Sequence, residues 1–339
     1  MAGQLGFAEA FLSDKAGQNR RLSRIETLID WATFAPYLPL PAPPGPGRPG
    51  YPALAMFKAL LLAQWYQLSD PALEEALADR ISFRRFCGFA LDEVTPDETT
   101  FCRFRLSLSQ GGRGQALMAE LERQLGSRGF LVKEGTMIDA TLIEAQAARP
   151  ADDRAPPSAE TGEGTSGAAS GATGRSGGLP DADARFAKKG SRTVYGYKAH
   201  VAVDLGSGLI RRAIMTPANV NDTTPADALV MGDERAVYAD KAYEKAERRQ
   251  ALKARGIKDR IMHRASKHNP QLSRWKARRN ALIMPVRAAV ERTFGTLKRS
   301  YGYARVRYYS LAANTVELCL KCFAFNLRKI EALTSAAAA

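Results

Sequence analysis

Three acidic residues stand in sequence surroundings where a carboxylate is unexpected. Asp139 lies inside the otherwise apolar or neutral run TMIDATLI. An unpaired buried carboxylate is unfavourable, so such an acid usually pairs with a cation, coordinates a metal or faces a cleft from a strand end. Asp240 ends the short segment AVYAD directly before a predicted helix. Ligands of open α/β sheets gather at the carboxyl ends of strands, so this position also favours a cleft.

The third acid, Glu291, is a lone carboxylate among many cations. Proline disfavours a helix interior, so we place a new helix from Pro285 to about Ser300. At about 100° per residue, Glu291 falls on a narrow strip beside an apolar stripe. The cations of this helix form two groups: Arg287 and Lys298 on the strip with Glu291, and Arg292 and Arg299 on the opposite, solvent side.

Each acid also has a structural interpretation. Asp139 could cap a strand end or occupy an exposed edge. Asp240 could be a helix N-cap, a position where Asp is favoured. Glu291 could pair with Arg287 one helical turn earlier. These interpretations leave unexplained why Asp139 and Asp240 occupy cleft-like positions in the same domain as Glu291.

Three converging carboxylates would have a specific chemistry. They could hold two divalent cations about 3.5–4 Å apart, the arrangement used for in-line displacement at phosphorus. Carboxylate oxygens suit Mg²⁺ or Mn²⁺. One cation would activate an attacking water or 3′-hydroxyl, and the other would stabilise the leaving oxygen. Arg287 and Lys298 would then hold a DNA backbone beside the metals.

The positive charge of the chain is concentrated in one segment. The net charge is +14, but residues 241–310 alone contain 20 Lys or Arg and four acids, a net of +16. A basic surface of this kind attracts phosphate backbones and is typical of nucleic-acid binders. The alternative is a solvated helical face.

Composition excludes several classes of protein. The 339 residues are 45% apolar, which suits a globular chain of two domains or of one large domain with an appendage. No apolar run is long enough for a membrane span, and the first residues do not resemble a secretory signal. Four cysteines favour a reducing compartment, with the cytoplasm as the expected location. Cys319 and Cys322 lack a second ligand pair, so we expect them in a helix core. We expect His200 to be a half-exposed strand residue.

The order of elements predicts a mixed α/β fold after an all-helical region. The β-branched run before Glu144, a hairpin around the turn DLGSG, AVYAD and DRIMHR (259–264) predict strands. The segment after AVYAD predicts a helix closed by Gly256. The predicted organisation is a helical segment (1–35), a Pro-rich linker (36–52), a helical domain (53–128), a catalytic domain (129–330) with a disordered insert at about 149–185, and a tail (331–339).

The helical region from 53 to 128 permits two interpretations. Pro52, the pair Asp70-Pro71 and Thr95 each precede a short amphipathic run and predict helix starts. Several short helices at this spacing are compatible with a helix-turn-helix-like DNA-binding module. They are equally compatible with a dimerisation bundle.

Taken together, these segments resemble a known family. TMIDATLIEA, YGYKAHVAVDLGSGLI, TPANVNDTT, VYADKAY and RAAVERTFGTLKRSYGYARVRY, in this order, are similar to bacterial insertion-sequence transposases of the IS-five group. LSRIETLIDW and the segment RPGYPALAMFKALLLAQWYQLSDPALEEAL resemble the first domain of that group. The resemblance covers nearly the whole chain apart from the Gly/Ser-rich insert and the Ala-rich end.

The resemblance implies a DDE enzyme with a ribonuclease-H-like catalytic domain and a metal-binding triad of Asp139, Asp240 and Glu291. Arg287 and Lys298 match the family signature around the glutamate, whereas its tyrosine position holds Met284. Such enzymes act on the terminal inverted repeats of their own element and on target DNA, as oligomers such as dimers, without a covalent protein–DNA intermediate. They need Mg²⁺ or Mn²⁺ and no small-molecule cofactor.

Further DNA contacts are expected from the basic segment, at Lys241, Arg292 and Arg299. Two other functions remain open from the residues. One is a nuclease or junction resolvase that cuts without joining, and the other is a DNA-binding regulator that retains the fold without catalysis.

Overall fold

A six-stranded mixed sheet positions the two aspartates. The computed structural model describes residues 17–40, 50–146, 181–265 and 271–337. Its strands are β1 (Thr136–Glu144), β2 (Arg185–Lys189), β3 (Arg192–Asp204), β4 (Ile210–Pro217), β5 (Ala236–Ala239) and β6 (Lys258–Ile261). They lie in the order β2-β3-β1-β5-β6, and β4 pairs with β3. The pairs β1–β5 and β5–β6 are parallel and the others antiparallel.

The helices precede and follow this sheet in the chain. They are α1 (Arg20–Leu28), α2 (Ala53–Tyr66), α3 (Asp70–Asp79), α4 (Ile81–Cys87), α5 (Glu98–Leu108), α6 (Arg113–Ser127), α7 (Ala246–Ala254), α8 (Arg274–Ile283), α9 (Ala288–Ser300) and α10 (Leu311–Ala337). Short 3₁₀ helices include Ala32–Tyr37, Lys241–Tyr243 and Met284–Arg287. The predicted mixed α/β class with an N-terminal helical region is confirmed.

Both faces of the central strands are buried, because successive strand side chains point to opposite faces. Met137 and Val201 belong to the larger core, which also contains residues of α6, α9 and α10. Their neighbours Ile138 and Ala202 belong to a second core on the other face, with Leu252 of α7. The predicted hairpin is confirmed as β3 and β4.

Helix α10 joins the N-terminal helices to the sheet. The indole of Trp65 on α2 donates a hydrogen bond of 2.9 Å to the carbonyl of Ala324. The amide side chain of Asn326 bonds both backbone groups of Ile210 on β4, at 2.8 and 2.7 Å. Phe323 packs edge-on against Phe57. The helical region and the sheet therefore share one hydrophobic core.

The end of the chain differs from its prediction. Residues from 331 were expected to form a tail, yet α10 continues to Ala337. Glu331 is buried and forms ion pairs with Arg21 and Arg24 of α1. The alanine-rich composition suggested a tail, but alanine also has the highest intrinsic helix propensity. Cys319 and Cys322 are buried in α10, as expected.

Several element boundaries also differ from the sequence patterns. Asp97, and not Thr95, caps α5, because its carboxylate accepts the amide hydrogen of Thr100. The helix predicted directly after AVYAD is split into a 3₁₀ turn and α7. The strand predicted at 259–264 ends at Ile261.

Two predicted irregular segments lie partly outside the described residues. Of the Pro-rich linker (36–52), residues 41–49 are not described, and Leu38 is buried in the larger core. Of the insert at about 149–185, residues up to 180 are not described. Its last residues are ordered: Asp181 and Ala184 are buried, and Arg185 begins the unpredicted strand β2.

The expected half-exposed position of His200 is wrong. His200 is fully buried, because both faces of β3 are covered by protein. Its ring Nε2 lies 2.9 Å from the hydroxyl of Thr216. Burial lowers the pKa of His200 to about 4, although the nearby carboxylate of Asp222 opposes this shift. The folded protein therefore contains a neutral histidine where the unfolded chain has one that protonates near pH 6.5.

This difference predicts a loss of stability on acidification. Between about pH 6.5 and pH 4 the unfolded chain binds the proton and the folded one does not, so stability falls as the pH is lowered through this window. The contribution reaches roughly 3 kcal/mol. Urea unfolding at pH 7 and pH 4.5 should show a steeper loss for the parent than for His200→Gln, which keeps a hydrogen-bonding group for Thr216. Equal losses would contradict the buried neutral state.

Candidate active site

The two aspartates lie side by side on two interior strands of the sheet, directly after the last residue pair of β1 with β5. The parallel register of β1 and β5 pairs Ile138 with Ala239, so Asp139 and Asp240 are the next residues along the two strands. Asp139 remains within β1, whereas Asp240 follows the last residue of β5 and caps the 3₁₀ turn Lys241–Tyr243. The predicted position at the carboxyl end of a strand is confirmed for Asp240, and Asp139 lies inside β1, as its place within TMIDATLI indicated.

Backbone amides orient the two carboxylates. Oδ1 of Asp139 accepts a hydrogen bond of 2.9 Å from the amide of Ala140. Oδ1 of Asp240 accepts one of 2.6 Å from the amide of Lys241. The second oxygen of each carboxylate remains available for a cation. The side chains are 17% and 25% exposed, so both oxygens lie in a partly desolvated cleft.

One guanidinium lies between these two free oxygens. Nη2 of Arg287 is 3.5 Å from Oδ2 of Asp139, and Nη1 is 3.4 Å from Oδ2 of Asp240. Arg287 is the last residue of the 3₁₀ turn that leads into α9, and α9 packs on β1. The alternative pairing of Arg287 with Glu291 is therefore wrong, because its guanidinium is turned toward the sheet.

The electrostatics of Asp139 reflect this crowding. Burial raises the pKa of Asp139, and the negative charge of Asp240 raises it further. The amide of Ala140 and the guanidinium of Arg287 act in the opposite direction. The guanidinium between the two aspartates offsets part of the repulsion between their carboxylates.

The structure does not place Glu291 in a common metal-binding cluster with the two aspartates. It lies on the first turn of α9, exposed to solvent, and forms no ion pair with any residue that the structure describes. Within the ranges described, no cluster of three or more acidic, His or Cys side chains is close enough to share one metal ion. The predicted convergence is therefore observed for Asp139 and Asp240 alone. Glu291 lies four residues beyond Arg287 on the same helical edge.

The predicted DNA-binding cations do not all lie at this cleft. Lys241 directly follows Asp240, whereas Arg292 lines a separate groove with Gly206 and Lys329. Lys241, Arg292 and Arg299 are exposed. Lys298 is half-buried, and its ammonium lies 3.4 Å from the carbonyl of Leu142 on β1. Arg287, predicted as a phosphate contact, is instead paired with the candidate metal ligands.

Tyr243 is a neighbour of the site that the sequence analysis missed. It is almost fully buried, and its hydroxyl has no hydrogen-bond partner among the described residues. Burial raises the pKa of Tyr243, and the charges of Asp139, Asp222 and Asp240 add to the effect. The only signal in the sequence is its place three residues after Asp240 in VYADKAY.

Two family models match the chain. Residues 131–327, more than half of the chain, match the family described as Transposase DDE domain. The chain is a DDE transposase. Residues 10–107 match a second family, described as Transposase domain (DUF772). The combination is typical of transposases of the IS-four and IS-five types. No solved structure matches the chain.

Membership of this family gives the transposase a general activity. The DDE domain is a polynucleotidyl transferase that acts in DNA transposition, and it therefore binds DNA. DDE transposases generally use divalent metal ions. No helix among the described residues is long and apolar enough to cross a membrane.

The residues of the cleft fit such a metal. Carboxylate oxygens are the ligands preferred by hard divalent cations. The free Oδ2 atoms of Asp139 and Asp240 face the same positive group, which shows that the cleft accommodates a cation between them. Glu291 is exposed one turn from Arg287, where its carboxylate is unpaired within the described residues.

The exposure of Glu291 allows its predicted catalytic role to be tested separately from any effect on stability. Glu291→Gln should change the free energy of unfolding by no more than about 0.5 kcal/mol, as expected of a surface substitution. We expect DNA cleavage to fall by roughly two orders of magnitude or more, since metal-assisted charge stabilisation contributes several kcal/mol. Urea unfolding and a gel-based cleavage assay measure the two effects. Unaltered cleavage would remove Glu291 from the triad.

Proposed function

We propose that the transposase cleaves the ends of an insertion sequence and joins the resulting 3′-hydroxyl ends to target DNA. Asp139, Asp240 and Glu291 would hold two Mg²⁺ or Mn²⁺ ions for this reaction. The observation that supports the proposal is the adjacent placement of Asp139 and Asp240 on parallel strands, with one cation between them. The bound metals would supply activation of the attacking hydroxyl and stabilisation of the leaving oxygen.

The side chains of the transposase have separate tasks in this proposal. The amides of Ala140 and Lys241 fix one oxygen of each aspartate, so the other oxygens present a preformed negative edge. Glu291, which the structure does not bring together with the aspartates, would complete the acidic set from the first turn of α9. Arg287 and Lys298 contact the DNA backbone next to the scissile phosphate.

The family resemblance suggests the wider assembly. We propose that the substrates are the terminal inverted repeats of the element and a target duplex, brought together by a homodimer in the bacterial cytoplasm. Met284, at the family's tyrosine position, is 60% exposed at the start of the 3₁₀ turn that carries Arg287. It provides no hydroxyl, so a DNA contact made through that hydroxyl is absent in this chain.

An assay of cleavage and joining tests the proposal directly. Purified protein is incubated with Mg²⁺ and DNA from the ends of its own element, and strand-transfer products are separated on a gel. We expect Asp139→Asn and Asp240→Asn to abolish both cleavage and joining. Cleavage at the parent level in both variants would reject the assignment.

The same assay distinguishes the two alternatives. Hydrolysis without strand transfer would indicate a nuclease or resolvase. DNA binding that is unaffected by a chelator, with no metal-dependent cleavage, would indicate a regulator without catalysis. In each case the two aspartate variants show whether the observed activity depends on this site, because Asp→Asn retains the side-chain shape and removes the charge.

A second prediction concerns the cations around the cleft. Each phosphate contact that is lost should reduce the slope of log K against log salt by about 0.9. We expect this reduction for Lys241→Ala and Lys298→Ala in DNA binding measured between low and moderate salt.

Arg235→Ala is the matched control for this salt dependence. Arg235 is exposed, pairs with Glu134 at 3.0 Å and precedes β5, at the end of the strand opposite Asp240. Arg235→Ala lowers the net charge by the same amount as Lys241→Ala or Lys298→Ala, but it should leave the slope of log K against log salt at the parent value. Slopes that are the same in all four proteins would show that Lys241 and Lys298 do not contact phosphate.

A further inference from the structure

We propose that Arg287 is the resting counter-cation of the metal site, and that DNA draws it away so that the metals can bind. This inference rests on the proposed function, because it concerns the loading of the same site. It makes the affinity of the transposase for divalent metal depend on whether a phosphate backbone is present.

The position of the guanidinium is the first argument. Asp139 and Asp240 form ion pairs with Arg287 and with no other residue in the ranges that the structure describes. The contacts use the Oδ2 atoms, the same oxygens that the backbone amides leave free. A divalent ion bridging the two aspartates would need those oxygens. The guanidinium and the metal therefore compete for one place.

The looseness of the contact is the second argument. Charge-assisted N–H···O bonds are usually about 2.7–2.9 Å long, and arginine pairs best with both oxygens of one carboxylate. Arg287 instead makes single contacts of 3.5 and 3.4 Å to two different carboxylates. Arg105 shows the contrast within the same chain, since two of its nitrogens bind the two oxygens of Asp70 at 3.0 and 2.5 Å.

Arg287 is also free to leave. Its side chain is 24% exposed, whereas that of Arg105 is 5% exposed. Nε of Arg287 is buried and has no hydrogen-bond partner in the part of the chain that the structure describes, so its present position satisfies the donors of the guanidinium incompletely. A phosphate offers two oxygens in the geometry that a guanidinium binds best. The exposed cation Lys241, directly after Asp240, would bring such a phosphate to the two aspartates.

Thermodynamic linkage gives the consequence. If DNA stabilises the state in which Arg287 has left the carboxylates, then DNA and metal strengthen each other's binding by the same factor. Before DNA arrives, the guanidinium balances the aspartates, so the metal-free protein avoids the repulsion of two adjacent negative charges.

The binding of Mn²⁺ to the full-length protein tests this, with free Mn²⁺ measured by electron paramagnetic resonance. Without DNA, Arg287→Gln should bind Mn²⁺ about tenfold more tightly than the parent, in the range typical of coupling between sites. Arg287→Lys should lie between them, because an ammonium keeps the charge but cannot bridge both carboxylates as a fork. The control Arg235→Gln removes an exposed charge at the end of β5 opposite Asp240 and should leave Mn²⁺ affinity near that of the parent.

The second arm repeats the titration with a random-sequence 20-base-pair duplex at low salt. The duplex should increase the Mn²⁺ affinity of the parent about tenfold. For Arg287→Gln, the factor by which the duplex increases Mn²⁺ affinity should be less than half of that found for the parent. Unchanged or weaker Mn²⁺ binding by Arg287→Gln without DNA, with circular dichroism showing a folded protein, would overturn the proposal. Asp139→Asn tells the two claims apart. If Mn²⁺ binds that variant as it binds the parent, the metal site of the proposed function fails; if binding is lost there, only the role of Arg287 is in question.

Discussion

The parallel pairing of β1 with β5 is the constraint on which the site depends. It places two aspartates at neighbouring positions on adjacent strands, where their charges repel unless a cation lies between them. Hydrogen bonds from backbone amides leave one oxygen of each carboxylate pointing into the cleft. The position of α9 then decides which cation fills it, because this helix and the turn before it carry Arg287.

Much of this site could be predicted from the sequence, for physical reasons specific to each residue. Asp139 interrupts an apolar strand and Asp240 ends one, and the carboxyl ends of parallel strands meet at one edge of a sheet. The position of Arg287 could not be predicted in the same way. Helical spacing placed it on one strip with Glu291, but whether its side chain turns toward the helix or the sheet depends on how α9 docks on β1.

The errors in the fold prediction have equally local causes. His200 was expected to be half exposed because side chains alternate between the two faces of a strand, and one face was taken to be open to solvent. Protein covers both faces of β3. Strand β2 was missed because RFAKK follows a segment rich in Gly and Ser and is itself mostly polar. Its hydrogen bonds to β3 stabilise it as a strand, although its own composition does not predict one.

The hydrophobic core shared through α10 has a consequence for shortened copies of this gene. A frameshift before α10 would remove the partner of Trp65 on one side and of Ile210 on the other. Apolar surface of both the helices and the sheet would then be open to water. Such a product would be a substrate for proteolysis.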